Sequence, residues 1–144
     1  MDYRTRTAEV AAYFETLTPA RTADLGQFYA PQARFKDPFN EVLGLSEVTR
    51  IFEHMYVALE APHFVIIGSL VDGAQAFLTW EFKFTFKRFD TQNLQTIRGA
   101  THLQYDGNGL ITLHRDYWDA AEELYEKLPV LGGLMRWLKA RAVS

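Results

Sequence analysis

Two polar residues close to the end of the chain, His114 and Asp116, stand two positions apart in the stretch Leu110 to Trp118. In a strand such a pair projects from one face, and an imidazole beside a carboxylate can hold and move a proton. The tetrapeptide Asp106-Gly107-Asn108-Gly109 just before them is the strongest hairpin signal in the sequence. With Gly107-Asn108 as a two-residue loop, Thr101 lies opposite His114, Gly99 opposite Asp116, and Ile97 opposite Trp118. These six residues then share one face, because each step along a strand of two residues returns to the same side. Arg98, His102, Gln104 and Arg115 take the other face. A longer loop shifts this pairing. A second carboxylate, Asp37, precedes Pro38, where proline turns the chain out of helical conformation; by itself this reads as a turn residue closing a strand.

Other chemistries are excluded by what is missing. The 144 residues contain no Cys, which removes disulfides, thiolate metal sites and thiol nucleophiles. Neither a glycine-rich phosphate loop nor a dinucleotide fingerprint occurs, so phosphoryl and hydride transfer are not indicated and no cofactor is expected. His54, His63, His102 and His114 lack metal-ligand spacing, and no metal is expected. A net charge of -3 argues against nucleic acid, which needs a basic surface. No apolar targeting segment or span of about twenty apolar residues is found, so the expectation is a cytoplasmic protein. The length fits a single domain, 1–144, with a real core. Aromatic residues make up 15% of it, enough either to fill that core or to wall a cavity.

The elements that must position these residues follow from periodicity. Val10, Tyr13, Phe14 and Leu17 form a helical stripe that ends at Thr18-Pro19. A short second helix carries Leu25, Phe28 and Tyr29 and stops before Pro31; Ala33 to Lys36 is a strand. Ser46 is the expected N-cap of a third helix whose stripe runs through Val48, Ile51, Phe52, Met55 and Leu59, with Ala61-Pro62 as its stop. The period then changes to two. Strands are predicted over His63 to Val71, Ala76 to Arg88, Gln95 to Tyr105 and Leu110 to Trp118, the second with Trp80, Phe82, Phe84 and Phe86 on one face. Helices followed by an antiparallel meander make the fold α+β. A last helical region, Asp119 to Val143, is expected to break near Pro129 and Gly132-Gly133.

With this order of elements, the chain up to about Asp119 resembles the nuclear transport factor 2-like superfamily, which includes ketosteroid isomerase and the SnoaL-like polyketide cyclases. The carrying segments are Tyr29-Ala30-Pro31-Gln32-Ala33-Arg34-Phe35-Lys36-Asp37-Pro38-Phe39 and the terminal hairpin from Tyr105 through Tyr117-Trp118. The resemblance implies a cone-shaped curved antiparallel sheet packed against three helices, here with an extra C-terminal helix. It also implies that Asp37 is a catalytic base, that Tyr13, 24 positions earlier, is an oxyanion donor, and that Trp118 faces the pocket. Where ketosteroid isomerase has a second carboxyl, this chain has Thr101, while His114 and Asp116 occupy positions that are apolar in the isomerase. The polar equipment has moved, which points to different chemistry or a different ligand.

A carboxylate in an aromatic pocket becomes a better base through desolvation, and a tyrosine and an imidazole can stabilise an enolate oxygen. The candidate catalytic set is therefore Asp37, Tyr13, His114 and Asp116, with His114 a polar anchor oriented by Asp116. The candidate ligand wall is Phe39, Phe52, Met55, Trp80 and Phe82, joined by Thr101 and Trp118. The expected function is a small hydrophobic-ligand pocket, as in an isomerase, cyclase or dehydratase working by proton transfer on a carbonyl compound. The alternative is a non-catalytic ligand-binding or dimerisation domain of the same fold, and the two stay open here. A homodimer is expected through the resemblance. In the tail, Leu131, Leu134, Met135, Leu138 and Ala142 make an apolar stripe beside Arg136, Lys139 and Arg141. Basic amphipathic helices can lie on anionic membranes, but packing on a sheet face, a pocket mouth or a partner subunit is the expectation.

Overall fold

The computed structural model describes residues 1–88, 90–127 and 129–143. In chain order the elements are α1 (Tyr3–Glu15), a 3-10 helix (Ala20–Gln27), β1 (Tyr29–Lys36), β2 (Glu41–Leu43), α2 (Leu45–Ala58), β3 (Leu59–Asp72), β4 (Gln75–Phe86), β5 (Gln95–Tyr105) and β6 (Ile111–Tyr117). They end with α3 (Ala120–Glu123), a 3-10 turn (Tyr125–Lys127) and α4 (Pro129–Val143). Strands β3 to β6 form an antiparallel meander, and the sheet order is β2-β1-β6-β5-β4-β3.

The expected all-antiparallel cone on three helices is corrected in two respects. β1 runs parallel to β6, so the sheet is mixed, and β2 and β3 are free edges, so it is open. The parallel pair is possible because α2 and four strands separate β1 from β6 in the chain, a long crossover of the kind parallel neighbours require. The described residues also hold four α-helices and two 3-10 helices, the extra ones arising where the tail divides into α3, the 3-10 turn and α4.

Local differences have local causes. β2 is only three residues long, too short to show a period. α2 is capped by Gly44, without a side-chain hydrogen bond, rather than by Ser46. β3 continues through Ala61-Pro62 because Ala61, at φ 50°, places an irregularity between Glu60 and His63 instead of a stop. α4 runs unbroken through Gly132-Gly133. A Cβ at Gly132 would overlap the Glu126 carbonyl oxygen, so this glycine permits close packing on the 3-10 turn. That turn is the main contact of α4. Leu134, Trp137 and Leu138 remain 49%, 55% and 46% exposed. The Leu131 side chain lies outside the described residues. None of the helices in the described residues is long and apolar enough to cross a membrane.

One face of the sheet is covered by α1 and α2, which bury Val10, Tyr13 and Phe14, and Val48 and Phe52, respectively. Facing them are the alternate residues of β4: Leu78, Trp80, Phe82 and Phe84 are all buried. The β5–β6 register pairs Thr101 with Asp116 and Leu103 with His114, two residues from the expected pairing. The loop is longer than two residues, since Asp106 N–H donates to the Leu110 carbonyl, and an irregularity follows at Tyr105. A shift of two preserves the face, so Thr101, His114 and Asp116 still point the same way.

Trp80 lies opposite Gly99 across the β4–β5 ladder. A Cβ on Gly99 would be 2.5 Å from the indole Cη2, so the ring occupies space only a glycine leaves free. Overpacking of this kind typically costs about 1–3 kcal/mol. Gly99→Ala is therefore expected to lower the urea-unfolding free energy by about that amount and to shift Trp fluorescence; an unchanged midpoint would show that the indole moves aside freely.

Candidate functional site

Between the covered sheet face, α2 and the turn after β1 lies a cavity of about 650 Å³. Phe52, Met55, Trp80, Phe82 and Thr101 line it, as do Phe39 and Trp118 at its outer end. Phe39 meets the Trp118 ring edge-on at 5.5 Å and Tyr125 at 6.1 Å, so the 37–40 turn and the segment after β6 close on one another over the mouth. His114, Asp116 and Asp37 also line the cavity, but Tyr13 does not.

The buried end holds a continuous hydrogen-bonded chain. The Trp80 indole N–H donates to Thr101 Oγ1 at 2.7 Å, and the Thr101 hydroxyl donates to Asp116 Oδ1 at 2.6 Å. The same Oδ1 lies 2.7 Å from His114 Nε2, and His114 Nδ1 lies 2.7 Å from the Tyr29 hydroxyl. Donor and acceptor roles follow from the groups themselves. An indole only donates and a carboxylate only accepts, so Thr101 gives its proton to Asp116 and Nε2 carries a hydrogen. Nδ1 of a neutral imidazole then accepts from Tyr29, and every proton of the cluster has a partner. A protonated ring would turn Tyr29 into an acceptor and leave the phenol hydrogen without one in this cluster. Burial pushes the Tyr29 phenol well above its ordinary value, and the Asp116 charge adds to the effect, so Tyr29 remains a donor. Around the imidazole stand Phe35 at 4.5 Å, Phe14 at 5.8 Å and Phe52 at 6.3 Å. Asp116 Oδ2 has no hydrogen bond among the described residues.

The other two candidates are placed differently. Both Asp37 oxygens are engaged by the turn that Asp37 opens: Oδ1 accepts from the Phe39 and Asn40 backbone N–H groups at 2.8 and 2.7 Å, and Asn40 Nδ2 reaches both oxygens at 3.1 Å. This side chain shapes the β1–β2 connection at the cavity mouth. Tyr13 is 2% exposed in the core, stacked on Phe28 at 4.2 Å, and its hydroxyl donates to the Arg21 carbonyl at 2.7 Å. Burial pushes its phenol up to about 12. Tyr29 is the polar member that sequence reasoning missed. Its spacing from Leu25 and Phe28 fits a helical stripe, whereas it opens β1 and is buried there with Ala33 and Phe35. Among the described residues no group of three or more His, Asp and Glu could hold a metal ion.

The chain is thus an α+β protein with a polar cluster at the buried end of an aromatic cavity. The family model for the SnoaL-like domain matches residues 10–114, and the chain belongs to that family. No curated protein matches the sequence. Among solved structures, a protein with a ketosteroid isomerase-like fold from Catenulispora acidiphila, in complex with trimethylamine, is 19% identical over 83% of this chain and 88% of its own, with TM-score 0.69. A nuclear transport factor 2-like protein of unknown function from Burkholderia pseudomallei is 15% identical over 85% and 94%, with TM-score 0.71. An LEH-like epoxide hydrolase from M. tuberculosis is 18% identical over 93% and 92%, with TM-score 0.65. At these identities the likeness concerns the fold alone.

Tyr29→Phe removes the donor to Nδ1 in apolar surroundings, and a loss of about 1–3 kcal/mol in urea unfolding is expected. The phenols also set an alkaline limit. Tyr13 and Tyr29 hold their protons more tightly folded than unfolded, so stability is complete below about 10 and falls as pH rises toward about 12. Tyrosinate absorbance should therefore complete its rise only as circular dichroism is lost; full ionisation of all 7 tyrosines in a folded chain would contradict this.

Proposed function

We propose that this chain is a proton-transfer catalyst for a hydrophobic carbonyl compound, of the isomerase, cyclase or dehydratase kind, with Asp116 as its base. The observation that carries this reading is the division of labour within one carboxylate. Oδ1 is held by Thr101 and His114, while Oδ2 has no partner among the described residues and Asp116 lines the cavity. A base needs such orientation and an open lone pair. In the reaction a C–H bond beside the carbonyl breaks, the proton passes to Oδ2, and the electron pair moves into the conjugated carbonyl. Return of the proton to another carbon isomerises the compound; its transfer to a departing β-hydroxyl, lost as water, dehydrates it; and its transfer to the alkoxide formed when the carbanion adds to a second carbonyl completes a cyclisation. No cofactor takes part. The engagement of both Asp37 oxygens supports a turn-forming role for that residue, and the Tyr13 hydrogen bond to Arg21 supports leaving it out of the site.

A second reading has its own observation. The indole, hydroxyl, imidazole and phenol protons of the cluster are committed to one another, which suits a ligand-binding domain without chemistry. A homodimer over the outer sheet face belongs to either reading; Leu70, Phe77 and Tyr117 are exposed there.

Hydrogen exchange beside the carbonyl of hydrophobic cyclic enones in heavy water, followed by nuclear magnetic resonance, separates these possibilities. Asp116→Asn is expected to slow exchange by about 10²–10⁴-fold, while Asp37→Asn stays within about threefold. The reverse order would make Asp37 the base. Absence of exchange in the wild-type protein, together with tight binding of the same enones, would favour the binding domain.

A further inference from the structure

The protons of the buried cluster can be followed one by one, and the result restricts the ligand. Trp80, Thr101, His114 and Tyr29 each donate within the cluster, so none of these protons is offered to the cavity. The group left open is Asp116 Oδ2, an acceptor. A ketone, ether or ester oxygen placed there would set lone pair against lone pair, and a carboxylate or phosphate would add like-charge repulsion.

Charge points the same way. With His114 neutral, the cluster keeps one full negative charge, and among the described residues the imidazole is the basic side chain within ion-pair distance of Asp116 without carrying a charge to offset it. Asp37 and Glu47 add two more carboxylates to the lining. The lining cation, Arg50, is 73% exposed and pairs with Glu47 at 3.0 Å. An ionised carboxylate 16% exposed among rings is costly unless a cation joins it. The walls suit such a cation as well, because Trp80, Phe82 and Trp118 line the same space and the faces of aromatic rings attract ammonium groups.

We propose that the cavity binds a hydrophobic amine in its protonated form, with the ammonium hydrogen-bonded to Asp116 Oδ2 and the apolar body against the aromatic wall. The inference rests on the cavity being the ligand site, and not on Asp116 acting as a base. An ammonium on Oδ2 occupies that oxygen in either functional reading, so for a proton-transfer enzyme such an amine would also be a competitor of the substrate.

The test is calorimetric titration of the full chain with three compounds of one shape: adamantylamine, adamantanol and adamantane carboxylate. At neutral pH the amine is expected to bind at least about tenfold more tightly than the alcohol, and the carboxylate more weakly than either. Asp116→Asn should remove the preference for the amine over the alcohol. Should that variant fail to fold, the wild-type order of the three compounds still decides. Equal affinity for amine and alcohol, or preference for the carboxylate, would overturn the amine assignment and leave the cavity standing as a ligand site. Binding of none of the three would overturn both.

Discussion

The double acceptance at Asp116 Oδ1 is the constraint around which the inner sheet is arranged. A carboxylate oxygen in an apolar wall must be satisfied, and here it takes the Thr101 hydroxyl from β5 and the His114 ring from its own strand. The Thr101 contact requires the β5–β6 register to place Thr101 opposite Asp116. Thr101 can donate downward because Trp80 supplies its other hydrogen bond from β4. The indole reaches it because Gly99 has no Cβ. On the far side Tyr29 completes the imidazole from β1, the strand parallel to β6. One polar chain thus ties four strands, and a slip of any of them would leave a buried group without a partner.

Much of this was legible in the sequence because parity is robust. The alternation over β4 identified the inner face, and the shared face of Thr101, His114 and Asp116 survived a two-residue error in register. Turn chemistry was less forgiving: Asp106 Oδ1 accepts from both the Asn108 and Leu110 backbone N–H groups, which widens the loop beyond the two residues suggested by glycine and asparagine. The site was harder to read than the sheet. The roles of Asp37 and Tyr13 came from resemblance alone, while the structure commits their polar atoms to a turn and to a backbone carbonyl. Tyr29 escaped notice because its spacing from Leu25 and Phe28 fits a helical stripe, whereas that helix ends at Gln27 and Tyr29 opens β1. The parallel contact with β6 is a long-range pairing with no local signature.

Family membership and site chemistry consequently separate here. The SnoaL-like match ends at His114, so Asp116 and Trp118 lie just beyond it. The fold supplies a covered sheet face, and the residues placed on it decide what the pocket can do. At Thr101 this chain has a hydroxyl where the resemblance leads one to expect a carboxyl, and the acid stands across the ladder on β6 instead. Exchanging a carboxyl for a threonine on β5 removes a possible donor to a ligand, because the hydroxyl proton is needed by Asp116.

The abundance of aromatic residues explains why a cavity of about 650 Å³ persists instead of collapsing. Rings are rigid, and pairs of them prefer edge-to-face contact over close stacking of faces. Phe64 meets Trp80 at 86°, Phe84 meets Phe86 at 86°, and Phe35 meets Phe52 at 74°. Each ring is braced by a neighbouring ring rather than by atoms filling the centre. Aliphatic side chains of similar volume have more rotamers with which to fold inward, whereas these rings have little freedom once their edges are engaged. An aromatic wall therefore maintains both the space and the low polarity around Asp116, whose open oxygen belongs to a cavity lined mainly by rings.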